Sequence, residues 1–312
     1  MSLLTLIITL LLEHFYPLSA RKYLSDWLNR YAQFFENRFN ASNDNQGRFA
    51  WLLAVLPLLA VVMAIFWLLS RVHPIVALAF NVLVLYIAMG FRQYSQYCTD
   101  IQRTLSEGDL DKARGLLSRW RGVPSHDFTA EEVARVSIEQ AIIATQRNVL
   151  GVIIWFALFG MLGLGGAAGA LLYRLGNVLR ARWGGENESE PGAIGAFARR
   201  AYFLLEWVPL RLSAMTFAIV GDLDNTLHCW RTQTASWPDP EAGILLACGA
   251  GALGVRLGMQ IPQGGSSVDR PELGVGNDAD PGFMQSAIGL AWRSVVCWMI
   301  VLLMLTLANF LE

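Results

Sequence analysis

Six residues in this chain are of types that could bind or transform a ligand. They flank one apolar run, VLGVIIWFALFGMLGLGGAAGALLY (149–173). Glu139 and Gln146 precede it, Tyr173, Arg174 and Asn177 close it, and Arg211 follows Pro209 further along. A carboxylate close to a membrane face is a site candidate by default, because burying it without purpose is costly. It could equally be one half of a buried ion pair. Arg174 could snorkel its head to the interface or fork onto an oxyanion. Arg211 stands where Pro209 predicts a helix start, and backbone N–H groups there favour anions. Together Glu139, Gln146, Tyr173, Arg174, Asn177 and Arg211 are expected to line a cleft for an anionic or nucleotide-like ligand, with the apolar run as its floor.

Other chemistries lack their residues. Gly249, Gly251 and Gly254 match GxGxxG, but a dinucleotide fold needs a preceding strand and the surroundings read as helix, so close packing is the expected use. Gly165 with Gly169 and Gly254 with Gly258 are packing spacings too. No GxxxxGK[ST], HExxH or GxSxG run occurs. The histidines His14, His73, His126 and His228 lie in different segments, so no metal site and no cofactor are expected. Cys98, Cys229, Cys248 and Cys297 form no CxxC pair and read as small core hydrophobes. A net charge of −1, with no basic run interleaved with aromatics, gives no case for nucleic-acid binding.

The elements that must position these residues are membrane helices. The 312 residues are 54% hydrophobic and only 16% charged, against about 25% charged in soluble domains. The fold class is therefore all-α, a polytopic membrane protein forming a single domain over 1–312. Its expected membrane segments are 1–12 (uncleaved, spanning or half-buried), 49–69, 75–90, 149–173 and 295–310, with helical polar regions at 91–148 and 174–292. Segments 49–69 and 75–90 make a hairpin about the turn at Arg71–Pro74. The central run is one glycine-rich membrane helix, either spanning or dipping in and returning. Residues 13–36 read as an amphipathic helix packing through Tyr23, Trp27, Tyr31 and Phe34. Runs 36–47, 184–193 and 261–282 read as loops, the last long enough to suggest function or disorder. Asp109 and Asp222 should cap helices, and Thr129 with Glu132 forms a capping box. Pro209 should separate one helix (197–208) from the next (210–220), and 241–259 reads as a further apolar helix.

Lys and Arg accumulate on the cytoplasmic side of inner-membrane proteins. Five lie in 13–50 and eight in 91–148, against one in the 71–74 turn. This predicts a multi-pass inner-membrane protein with its polar regions in the cytoplasm. Membrane lipids are then its surroundings.

The runs EGDLDKARGLLSRWRG (107–122), EEVARVSIEQAI (131–142), GGAAGALLYRLGN (165–177), VPLRLSA (208–214) and GALGVRLG (251–258), in that order, resemble the CobD/CbiB superfamily. That resemblance implies a membrane enzyme of cobalamin assembly, forming an amide bond in adenosylcobinamide phosphate. In the synthases an ESLAEN-like motif and a nearby Asp precede the apolar stretch. Glu139 matches its first Glu, but Ile143, Ala144 and Arg147 stand at the second Glu, the Asn and the Asp. The YRxxNTLD motif survives as Tyr173, Arg174 and Asn177, with Arg180 in place of its acid. Losing acids weakens the case for nucleotide-driven chemistry, which needs carboxylates. The runs RQYSQYC (92–98), VLGVIIWFALFG (149–160) and SAMTFAIVGD (213–222) are similar to the AmpE branch. That similarity implies an inner-membrane protein, more regulatory than enzymatic, of β-lactamase induction and cell-wall signalling, linked to an amidase of peptidoglycan fragments. Two alternatives stand beside it: an active amide-forming ligase whose acids are relocated to Asp222, Asp224 or Asp269, and a membrane scaffold subunit with no ligand.

Overall fold

The computed structural model describes residues 2–15, 20–38, 44–184, 192–263 and 266–311. The chain falls into two compact units. One comprises residues 1–90, 147–209 and 299–312, the other 91–146 and 210–298. The protein is an all-α polytopic membrane protein. Among the described residues five helical stretches are long and apolar enough to cross a membrane: Gln46–Val72, Pro74–Ser106, Ala130–Met161, Ile194–Val220 and Pro281–Ala308.

The first unit begins with α1 (Ser2–Phe15), a short apolar helix, and α2 (Ala20–Arg38). Helix α3 (Asp44–Val72) runs unbroken through Pro57, and α4 (Pro74–Ala88) returns after His73, whose Nδ1 accepts the Ile75 N–H at 3.2 Å. The hairpin is as the sequence predicts. The inward face of α2 is not. Leu28, Ala32 and Phe35 are buried, whereas Trp27 and Phe34 are exposed. Of the expected aromatics Tyr31 therefore joins the buried face and Trp27 and Phe34 do not, and the side chain of Tyr23 lies outside the described residues. The buried face is tied down by the Tyr31 hydroxyl donating to the Ala54 carbonyl at 2.8 Å and the Trp183 indole donating to the Ala32 carbonyl at 3.2 Å. Of the loop 36–47, residues 39–43 lie outside the described set, and the remainder is helical at both ends. Most of 184–193 also lies outside it.

The second unit contains α5 (Phe91–Ser106), α6 (Leu110–Arg121) and α7 (Ala130–Thr145). Asp109 caps α6, accepting the Lys112 N–H at 3.1 Å, and Gly122 ends it in the left-handed conformation. Thr129 and Glu132 exchange both capping-box bonds, at 3.2 and 2.7 Å. Such reciprocal caps satisfy N–H groups that the helix itself cannot.

A π-helical turn (Gln146–Leu150) follows α7, then α8 (Gly151–Met161) and α9 (Gly166–Trp183). The central apolar run is thus two helices where one was expected, and of its two expected courses it takes the returning one. The chain breaks at Leu162–Gly165, where Gly163 and Gly165 take positive φ, and α9 packs back along α8. Asn81 of α4 satisfies the new helix start by accepting the Ala167 N–H at 3.1 Å. Glycine is needed where the two helices touch: a Cβ at Gly169 would collide with the Trp155 carbonyl, and one at Gly151 with the Tyr173 ring.

Helix α10 (Ala193–Val220) contains Pro209 internally, so the expected break there is absent. Proline inside an apolar helix is tolerated when neighbours re-satisfy the freed carbonyl. Next come α11 (Leu223–Thr232), capped by Asp222, and α12 (Pro240–Leu253), which ends six residues short of the expected Met259 at left-handed Gly254. The expected loop 261–282 carries strands. β1 (Leu257–Gly258) pairs antiparallel with β4 (Glu272–Leu273), and β2 (Ile261–Gln263) with β3 (Ser266–Val268). No alternating pattern announces strands of two or three residues. Gln233 clamps their end, donating to the Gly274 carbonyl at 3.1 Å and accepting its N–H at 2.6 Å. Helix α13 (Pro281–Leu311) is one continuous element that takes in the expected membrane segment 295–310.

Candidate functional site

In the second unit the chemistry gathers around Glu139. It sits mid-way along α7 and is almost wholly buried. A buried carboxylate must be paired and hydrogen-bonded. Its partner is Arg270, from the strand-bearing strap, which forks onto it with Nη1 2.8 Å from Oε2 and Nη2 3.2 Å from Oε1. The Gly258 N–H donates a third bond to Oε1 at 2.9 Å. Gly258 has a φ of +78°, and a Cβ there would strike the Pro271 carbonyl. The left-handed backbone and the nearby Pro271 carbonyl therefore require glycine at the position that donates to the carboxylate.

Arg270 is held as firmly as it holds. Its Nε donates to the Met259 carbonyl at 3.1 Å, its Nη2 to the Gly258 carbonyl at 3.0 Å, and its guanidinium lies 5.4 Å from the Trp237 ring centre. One turn before Glu139, Arg135 donates to the Gln260 carbonyl at 3.1 Å and touches the Met259 sulfur at 3.4 Å. Arg121, at the end of α6, lies within electrostatic reach of both Glu139 and Arg270. Burial holds its guanidinium below its ordinary value, with Arg270 adding to the shift and Glu139 opposing it.

In the first unit a second buried group forms around Tyr173. Its hydroxyl donates to Glu206 Oε2 at 2.6 Å and accepts from the Tyr202 hydroxyl at 3.3 Å. Arg180 lies 5.2 Å from the Tyr202 ring centre, and Arg147, in the π-helical turn, also acts on Tyr202 electrostatically. Arg174 donates to the Asn148 side chain at 2.6 Å. Arg147 and Arg180 thus accompany a tyrosine–carboxylate cluster.

Of the six expected residues, Tyr173, Arg174 and Asn177 lie in the first unit and Glu139, Gln146 and Arg211 in the second. Tyr173 and Arg174 belong to one neighbourhood, with Asn177 half-buried a turn further along α9. Glu139 is half of a buried ion pair. Gln146 is buried where the π-helical turn begins, its N–H shared between the Ile142 and Ile143 carbonyls. Arg211 does not mark a helix start. It lies inside α10, whose backbone N–H groups are already used, so the anion-favouring terminus predicted there is absent. Of the suggested relocated acids, Asp222 is spent on its helix cap, accepting the Asn225 N–H at 3.0 Å. Asp224 is exposed, and Asp269 accepts from the Gln260 amide at 3.2 Å.

The partners Arg270, Trp237, Tyr202, Glu206 and Asn148 were missed. Glu206 left a signal, a lone acid in the apolar run 197–208, and the length of 261–282 pointed to Arg270. Tyr202 and Asn148 left none. Among the described residues no three His, Cys, Asp or Glu side chains group as metal ligands. Glu139 itself has both oxygens occupied, by the Arg270 guanidinium and the Gly258 N–H.

The family model described as CobD/Cbib protein matches residues 7–291. The chain is 36% identical over 288 residues to the "Cobalamin biosynthesis protein CobD" of Stutzerimonas stutzeri, covering 92% of this chain and 90% of that one. It is 34% identical over 232 residues to a protein of the same name from Chromobacterium violaceum, covering 74% and 72%. It is 28% identical over 234 residues to the "Cobalamin biosynthesis protein CbiB" of Salmonella arizonae, covering 73% and 71%. No solved structure matches the chain.

Proposed function

Because the chain belongs to the CobD/CbiB family, we propose that it acts in cobalamin assembly as a membrane amide-forming ligase, joining an amine to a carboxyl group of a corrinoid. The observation that carries this reading is near end-to-end similarity to proteins named for cobalamin biosynthesis. Amide formation removes a carboxyl oxygen, and cleavage of a nucleoside triphosphate supplies the driving force. Glu139 is the retained acid. Bonded to Arg270 and the Gly258 N–H, it anchors the strap to α7 and in this reading positions the groups that meet the substrate. In this reading the protein lies in the inner membrane, with its polar regions in the cytoplasm, where nucleotide is available.

A second reading is supported by a different observation. Ile143, Ala144, Arg147 and Arg180 replace polar groups of the synthase motifs, and two of these arginines accompany the Tyr173–Tyr202–Glu206 cluster. In that reading the chain is an AmpE-type modulator of β-lactamase induction and cell-wall signalling, which has kept the family architecture without the reaction.

Turnover of nucleoside triphosphate by the purified protein in detergent, with a corrinoid acid and an amine supplied, tests the first reading. Stoichiometric amide and nucleotide cleavage is the expected result. Absence of both, from protein that is folded and still binds the corrinoid, would overturn it in favour of the second.

A further inference from the structure

Helices α11 and α12 pack as an antiparallel hairpin that carries two fully buried thiols, Cys229 and Cys248. Two glycines fix the register of the hairpin. A Cβ at Gly251 would stand 2.8 Å from the Asn225 carbonyl oxygen and 2.8 Å from the Thr226 Cα. One at Gly243 would stand 2.7 Å from the Thr234 carbonyl oxygen. Backbone therefore meets backbone near both ends of α12. In an antiparallel pair, each step forward on one helix is a step back on the other. Three residues on from Thr226 is Cys229, and three back from Gly251 is Cys248, each about one turn along. Counting inward from Thr234 and Gly243 gives the same pairing. The two thiols thus face each other between two points of backbone contact. Their charges are felt accordingly: burial raises the Cys248 thiol, and Cys229 adds to the shift. A disulfide needs Cα atoms about 4.4–6.8 Å apart, a separation that glycine-set backbone contact permits. The strap rests on the same hairpin. Cys229 meets the backbone of Gly274, and Gln233, one turn on, clamps both polar groups of that residue.

We propose that Cys229 and Cys248 are an oxidisable dithiol, closed to an intramolecular disulfide by a low-molecular-weight disulfide, which staples α11 to α12 where the strap ends. One cysteine thiolate attacks the small disulfide, giving a mixed disulfide and expelling one small thiolate. The other cysteine thiolate then attacks the protein sulfur of that mixed disulfide, closes the Cys229–Cys248 bond and expels the second small thiolate. The protein gives up two electrons and two protons, and the small disulfide leaves as two thiols. Buried thiols with raised proton affinity react slowly, so the first attack runs through local opening of the hairpin, and the facing register makes the second attack intramolecular. The pair lies wholly in the second unit, and the proposal stands whether or not the chain forms amides.

The test is treatment of the full chain in lipid nanodiscs with 4,4′-dithiodipyridine, a small disulfide, followed by peptide mass spectrometry without reduction. The expected product is a Cys229–Cys248 bridge with no pyridyl adduct left on either residue. It should exceed any bridge to Cys98 or Cys297 by at least about tenfold, because only facing residues meet the geometry of a disulfide. Cys248→Ala should stop at the first step, with the pyridyl adduct retained on Cys229, and Cys229→Ala should do the same at Cys248. The bridge in the parent is read independently of how well either variant folds. Persistent adducts on both cysteines of the parent, two unreacted thiols after prolonged exposure, or equal bridging to Cys98 or Cys297 would each overturn the proposal. Amide synthesis is scored separately, so either idea can fail alone.

Discussion

Glu139 and Glu206 are both buried carboxylates on apolar helices, and the partners that fix them come from very different distances along the chain. Glu139 takes a guanidinium from a residue 131 positions away, on a strap of short strands. Glu206 takes a phenol from Tyr173, 33 positions away on a neighbouring helix. Each arrangement contains a glycine whose Cβ would collide, Gly258 with the Pro271 carbonyl and Gly151 with the Tyr173 ring. The ion pair ties an irregular segment to α7, whereas the phenol joins two regular helices. Stability should therefore depend on Arg270 far more than on any single tyrosine.

The largest effect should come from Arg270→Ala. It strands a buried carboxylate, and breaking such a pair costs about 3–5 kcal/mol. A large fall in thermal stability in detergent is expected, with much of it recovered in the double variant Glu139→Met with Arg270→Met. If Arg270→Ala is as stable as the parent, the pairing does not organise the strap. Tyr173→Phe should cost about 1.5–3 kcal/mol, the typical worth of a hydrogen bond to a charged group, and a loss equal to that of Arg270→Ala would erase the contrast. Gly151→Ala should cost about 1–3 kcal/mol by overpacking against the ring. In a Tyr173→Leu background, which vacates the ring's place, the penalty should shrink. Thr129→Ala removes only a helix cap and should cost about 1 kcal/mol, measurable as a small shift of the unfolding midpoint. Smallest in energy, Cys248 should resist alkylation at pH 8 in the folded protein, because burial pushes its thiol up to about 12. Rapid labelling there would show that α12 is looser than the structure has it.

What could be read from the sequence followed how local each feature is. Asp109, Thr129 with Glu132, and Asp222 act on residues three positions away, and all cap as expected. The hairpin about His73 is legible for the same reason, since two long apolar runs and a proline suffice. For 149–173 the sequence left a single crossing and a return both open, because the turn depends on positive φ at Gly163 and Gly165 and on Asn81 from another helix. Pro209 misled, since apolar surroundings let α10 continue through it. At the site, Glu139 forms the buried ion pair that the sequence left open as an alternative, but no periodicity ties residue 139 to residue 270. Strands of two or three residues leave no pattern, and the strap that brings Arg270 home stayed hidden inside a loop.

The most direct test of the central claim is growth dependent on cobalamin. A bacterial strain lacking its own CobD/CbiB protein would be supplied with this chain, and corrinoid amides measured in its extracts. Restored growth and amide formation, both lost on Glu139→Gln in protein still found in the membrane, is the result expected. Membrane-inserted protein that restores neither, while altering β-lactamase induction, would contradict the ligase account and favour the modulator.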